Sequence, residues 1–153
     1  MSNQPPTSME ERRRQRSESH ASSTYKSFLK DLEAKGLSPE EYAERAATSV
    51  LCCLEQRIMG AEAQQLESQL PSRLQELLVR CERHEGLPPS KFGRAEMLRV
   101  VSQELNVDVG TAESATRAVL ATVSEHISQG ELKQVVQQLP KDLKTLFPEM
   151  TLH

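Results

Sequence analysis

Cys52, Cys53, Cys81 and His84 are the residues in this chain whose types suit metal or redox chemistry. Their spacing does not. Cys52 and Cys53 are neighbours on a helical stretch, so their side chains diverge by about 100° and chelate one ion poorly. His84 has no C-x-x-C or H-x-x-x-H company. A small apolar packing role suits the paired cysteines better, and a solvated side chain suits His84. Carboxylates pair at Glu10-Glu11 and Glu40-Glu41, and adjacent acids at a helix start complement the helix dipole. No serine sits in a G-x-S-x-G elbow, and the six glycines form no phosphate loop. The sequence therefore predicts no catalytic residue, no metal ligand set and no cofactor, and it reads as a non-enzyme.

One basic cluster remains. Arg12, Arg13, Arg14 and Arg16 could contact phosphate or an acidic partner, but Glu10, Glu11 and Glu18 interleave them. Residues 1–23 then carry +1 (four Arg less three Glu). With a whole-chain charge of −3, the remainder carries −4. A body of that sign has no basic footprint for nucleic acid. Polyanion binding through the arm is the second reading of function.

These residues hang on a chain that must be helical. At 153 residues it is about one domain. Hydrophobic content is 37% and aromatic content 3%, with no Trp, so Leu, Val, Ile and Ala build the core. Three cysteines are an odd count without framework spacing, which suits a reducing compartment. No apolar run approaches the ~18 residues of a membrane span, and no apolar leader core is readable. A soluble cytoplasmic protein is the expectation.

The pattern of Ala43–Leu78 returns at Ala112–Phe147. Val50-Leu51 matches Val119-Leu120, and Gln69-Leu70-Pro71 matches Gln138-Leu139-Pro140, both 69 positions apart (119 − 50; 140 − 71). Residues 1–23 lack any hydrophobic period and read as a disordered arm. Repeat one spans 24–83, a linker 84–89, repeat two 90–147 and a tail 148–153. A half of ~60 residues is marginal alone, whereas the whole buries roughly 70% of its unfolded surface. The repeats should pack as one body.

Each repeat reads as four helices. Tyr25, Phe28, Leu29 and Leu32 share a face, and Gly36 stops that helix. Ser38-Pro39-Glu40-Glu41 reads as a capping box opening the second helix, with Ala43, Ala46, Ala47, Val50, Leu51, Leu54 and Ile58 inward. Gly60 reads as its end. A short helix with Leu66 and Leu70 follows, then Pro71 and a helix with Leu74, Leu77, Leu78 and Cys81 inward. In repeat two, Ser90 is expected to cap a helix burying Phe92, Ala95, Leu98, Val101 and Leu105, with Asn106 as a left-handed stop. Asp108 or Thr111 caps a long helix with Ala112, Ala115, Thr116, Val119, Leu120, Val123 and Ile127 inward. Ser128-Gln129-Gly130-Glu131 is a second capping box, before Leu132, Val135, Val136 and Leu139. Lys141–Phe147 reads as the last helix. His126, matched to Arg57, reads as part of an exposed flank. Gln69 and Gln138 read as amides that satisfy backbone groups where Pro ends a helix. The fold class is all-α, a duplicated four-helix unit of about eight helices in one helical bundle.

With both copies in view, the chain resembles the bacterial domain-of-unknown-function family 2267. The match is clearest at Ala112-Glu113, Ala115 through Leu120, Ile127-Ser128, Gly130-Glu131, and Gln138-Leu139-Pro140 through Leu146-Phe147. The first copy is looser: Ala47-Thr48 replace Thr116-Arg117, and Leu78 replaces Phe147. The resemblance covers about residues 24–147. It implies a duplicated helical fold and brings no reaction and no catalytic residues. A non-catalytic protein-interaction or assembly module, binding a protein partner or a second copy as a homodimer, is the leading expectation. Nucleic acid is the disfavoured partner, and neither a membrane nor a small-molecule substrate is indicated.

Overall fold

In the computed structural model, residues 24–58, 60–79 and 92–148 are described. Among them are eight helices and no strand. Helix α1 covers residues 24–34. The others are α2 (Glu40–Arg57), α3 (Gly60–Ser68), α4 (Ser72–Val79), α5 (Arg94–Leu105), α6 (Val109–His126), α7 (Gln129–Gln137) and α8 (Lys141–Lys144). The 3.6-residue period places Phe28, Leu29 and Leu32 inside and Tyr25 half-buried, as its spacing predicts. Gly36 follows at φ 100, a backbone region open to glycine at little cost.

Helix α2 is the central element. Its predicted inward residues are all buried, and so are Ser49, Cys52, Cys53 and Glu55 on the opposite side. The helix is therefore enclosed all round between Ser49 and Glu55. It packs against α4 of its own repeat and against both α5 and α6 of the other. Helix α3 packs against α7. The two repeats thus share their interior, as the marginal size of each half requires. Alanines at 43, 46, 112 and 115 are buried at equivalent positions, where short side chains let helix backbones come close.

Several helix ends differ from the sequence expectation. Pro39, not Ser38, is the N-cap of α2, and no side chain caps that end. Its carbonyl accepts from the Tyr42 and Ala43 N–H groups at 3.0 Å. Starting one residue later puts Ser38 out of capping reach, so the predicted box does not form. Gly60 does not end α2 either; it begins α3. The stop is Ile58, extended at φ −98 and ψ 160, with Ile127 at φ −110 and ψ 165 ending α6 in the same way. Both isoleucines are buried. Burying a β-branched side chain in the extended conformation, worth about 1.5–3 kcal/mol, turns the chain where no glycine is needed.

Helix α5 begins at Arg94 with Gly93 as N-cap, so Ser90 does not cap it, and Ser90 itself lies outside the described residues. The inward face is Met97, Leu98, Val101 and Leu105; Ala95 is exposed and Phe92 half-buried before the helix. The later start moves the face by a fraction of a turn. Asn106 adopts φ 56 and ψ 50 as the predicted left-handed stop. Asp108 caps α6, accepting from the Thr111 N–H at 2.6 Å. All seven predicted inward residues from Ala112 to Ile127 are buried. Helix α8 ends at Lys144 rather than Phe147, but Leu143, Leu146 and Phe147 remain buried.

Candidate functional site

Arg12, Arg13, Arg14 and Arg16, together with Cys81, His84 and the 84–89 linker, lie outside the described residues. Of the remaining chemistry-bearing residues, the cysteines sit deepest. Cys52 is 0% exposed and Cys53 3%. Cys53 is not part of a disulfide. Cys52 is disulfide-bonded. This corrects the reading of Cys52 as a simple packing group. Among the described residues, no three His, Cys, Asp or Glu side chains are grouped to hold a metal ion.

His126 is not on an exposed flank. Its side chain is 14% exposed, its Nε2 lies 2.7 Å from Asp31 Oδ2, and its ring meets Phe28 edge-on at 5.1 Å. Arg57, its repeat-one counterpart, donates from Nε to the Phe92 carbonyl at 3.0 Å. Both residues reach across to the other repeat, which the sequence pattern alone could not show. Lys35 and Glu125 form another crossing pair at 2.9 Å, and Arg45 donates to the Glu104 carbonyl at 3.0 Å.

Gln69 has a structural role different in detail from the expected one. Its Oε1 accepts from the Ser128 N–H at 2.7 Å, at the start of α7 in the other repeat. Ser128 Oγ in turn accepts from the Glu131 N–H at 3.1 Å. Half of the predicted capping box therefore forms. The other half is supplied by Gln69, while the Glu131 side chain is buried. Gln69→Ala would leave the Ser128 N–H without its protein partner. The expected cost is about 1 kcal/mol of stability, read as a shift of the urea midpoint; an unchanged midpoint would show that solvent replaces the amide freely.

The most developed polar cluster joins α5, α6 and α8. Arg94 Nη2 lies 2.9 Å from Glu113 Oε1, and Arg117 Nε 3.0 Å from Glu113 Oε2. Two guanidinium groups so clasp one carboxylate, and the bonds from Arg117 and then Arg94 hold its pKa below the usual glutamate value. Arg94 Nη1 donates to Thr145 Oγ1 and Arg117 Nη1 to the Thr145 carbonyl, each at 2.8 Å. Gly93 has no side chain to cap α5. Asp142, from α8, does so instead, accepting from the Arg94 N–H at 2.9 Å. A Cβ on residue 93 would lie 2.6 Å from Asp142 Oδ2, so glycine leaves the space this cap needs.

Repeat one holds the same cluster in place but not in kind. Subtracting 69 from Arg94, Glu113, Arg117, Asp142 and Thr145 gives Tyr25, Glu44, Thr48, Arg73 and Glu76. Tyr25 donates its hydroxyl to Glu44, and burial followed by that contact pushes the phenol pKa up. Thr48 bonds back to the Glu44 carbonyl, and Arg73 pairs with Glu76 at 3.4 Å. Only Glu44 and Glu113 keep one residue type at a matched position of the cluster.

A family model described as "Uncharacterized conserved protein (DUF2267)" matches residues 25–146. The chain belongs to the DUF2267 family. The match covers both repeats, all eight helices of the described residues but for the first residue of α1, and both polar clusters. No curated protein matches the chain. Membership in DUF2267, an uncharacterised family, assigns no residue a role.

Proposed function

We propose that this DUF2267 chain is a non-catalytic protein-interaction or assembly module that recognises its partner through polar contacts. The observation that carries the reading is the divergence of the two clusters on one scaffold. Buried positions 50/119, 51/120, 43/112 and 46/115 keep Val, Leu, Ala and Ala in both copies. The half-buried or exposed positions 25/94, 48/117, 73/142 and 76/145 each change residue type and charge. Such a body presents two differently charged faces at equivalent places. Val109 is the one large exposed hydrophobic among the described residues, which favours charge and hydrogen bonding over an apolar groove.

The backbone-bonded hydroxyls also suit a non-catalytic reading. Thr48, Thr116, Thr122 and Ser124 each donate to a carbonyl one helical turn back. Light scattering across concentration, with co-purification from source lysate, tests the proposal. A dimer or a co-purified protein lost in Arg117→Glu is expected. A strict monomer whose lysate profile is unchanged by the substitution argues against it.

The Arg-rich arm motivates polyanion binding as the second reading. Affinity should then fall steeply with salt and vanish on removing residues 1–23; unchanged affinity would sink it. No helix among the described residues is long and apolar enough to cross a membrane. A bacterial cytoplasmic location belongs to the same proposal. The Cys52 disulfide weighs against that location, and the thiol state of freshly isolated protein decides it.

A further inference from the structure

The two polar clusters carry opposite charge on one scaffold. In repeat two, printed contacts tie α5, α6 and α8 into one face: Arg94 and Arg117 reach Glu113 at 2.9 and 3.0 Å, and both reach Thr145 at 2.8 Å. Lys141 and Lys144 immediately precede Asp142 and Thr145 in sequence and are exposed. In repeat one, Tyr25 of α1 donates to Glu44 of α2, and Arg73 pairs with Glu76 on α4, which packs against α2. Glu40 lies one helical turn before Glu44, on the same side of α2, and is exposed. The Tyr25 hydroxyl feels the charges of Glu44, Arg73 and Glu40, so these groups share one neighbourhood.

The count decides the sign of each face. Repeat one sets Glu40, Glu44 and Glu76 against Arg73, a net −2. At positions matched to it by the 69-residue offset, repeat two sets Arg94, Arg117, Lys141 and Lys144 against Glu113 and Asp142, a net +2. We propose that the repeat-two face of one copy docks on the repeat-one face of a second copy, so that the partner of this chain is the chain itself. This rests on the interaction reading and deepens it by naming the partner.

A second copy uses both faces. An unrelated acidic protein would be drawn to the repeat-two face alone and would leave the repeat-one face without a role. Contact between unlike faces is attractive, and contact between like faces repels, so the charges also fix which surfaces meet. The arginines are already held in place by Glu113 and Thr145, and therefore lose little freedom on docking. Val109 stands where repeat one has Glu40 (109 − 40 = 69). It is the one large exposed hydrophobic among the described residues, and it gives the repeat-two face an apolar spot within a charged rim. Such a contact closes as a two-fold dimer when both pairs of faces meet at once, and extends into longer arrays otherwise.

Sedimentation velocity of the full chain across concentration is the test. Self-association is expected at low salt, and should weaken as salt approaches 1 M, where the screening length is about 3 Å. Lys141→Glu with Lys144→Glu, and separately Glu40→Lys with Glu76→Lys, should each weaken it by about tenfold or more, because like charges then face one another. An equimolar mixture of these two variants should associate again. The two reversed faces are opposite in sign, and so are the two intact ones. A wild type that stays monomeric at every concentration and salt, or a mixture no stronger than its components, overturns the proposal. A monomer from which Arg117→Glu still strips a co-purified protein overturns the second copy alone and leaves the interaction reading standing. Circular dichroism checks that each variant folds. If one does not, carbodiimide cross-linking of mixed isotope-labelled and unlabelled wild-type protein decides. Links from Lys141 or Lys144 of one copy to Glu40 or Glu76 of the other are expected, and links confined within single copies overturn the proposal.

Discussion

Leu51→Ala is expected to destabilise the chain by about 3–5 kcal/mol, the upper part of the range for buried leucines. Leu51 is 0% exposed on α2. That helix packs against α4 and against α5 and α6 of the other repeat. With its helix packed against three others from two repeats, a cavity opened there is not readily filled by one neighbour moving in. In a domain of this size the loss corresponds to a fall in Tm of roughly 10 °C or more. Val109→Ala is the matched control. Val109 is exposed, and its truncation should change stability by less than about 0.5 kcal/mol. Chemical unfolding of both variants measures the contrast. A Leu51→Ala loss under about 1 kcal/mol would mean that α2 is not the shared centre.

Breaking the Cys52 disulfide is expected to cost about 2–4 kcal/mol, since a covalent tie restricts the unfolded chain. Cys52 is fully buried, so reductant should reach the bond only when the chain opens. The protein should therefore resist mild reduction at low temperature and lose its bond as unfolding begins. Intact-mass measurement in denaturant should show a gain of two hydrogen atoms on reduction. Cys52→Ser should reproduce the lowered Tm of the reduced protein. Cys53→Ser should keep the bond, because Cys53 is not part of a disulfide. Equal Tm with and without reductant, or no mass gain, contradicts the bonded state.

The helical period made most of the interior legible. The faces of α1, α2 and α6 were readable because Val, Leu, Ile and Ala recur at fixed spacing, and a face of that kind has one place to go. Helix ends were less legible. A cap depends on which residue turns extended, and Ser38 and Pro39 compete within one residue. At Ile58 and Ile127 the stop is a burial effect, which no turn-forming residue announces. The enclosure of α2 was hidden for a related reason. Ser49 and Glu55 are polar letters, and only neighbouring helices make their positions interior.

The cluster at Arg94, Glu113, Arg117, Asp142 and Thr145 was within reach of the repeat offset but not of any motif. Its members lie far apart in sequence, and the Asp142 cap of α5 spans 48 residues. Comparing the repeats position by position would have set Arg94 beside Tyr25 and Arg117 beside Thr48. It would not have shown that the two arginines share one carboxylate. The crossing contacts of Gln69, His126 and Arg57 were illegible for a deeper reason. Each depends on how the repeats are placed together, which a pattern internal to one repeat does not encode.

Calorimetric unfolding of the full chain tests the shared interior most directly. One transition is predicted, with equal van't Hoff and calorimetric enthalpies. Leu51→Ala in repeat one and Leu120→Ala in repeat two should each move that whole transition to lower temperature. Two resolved transitions, each answering to the substitution in its own repeat, would contradict the single body.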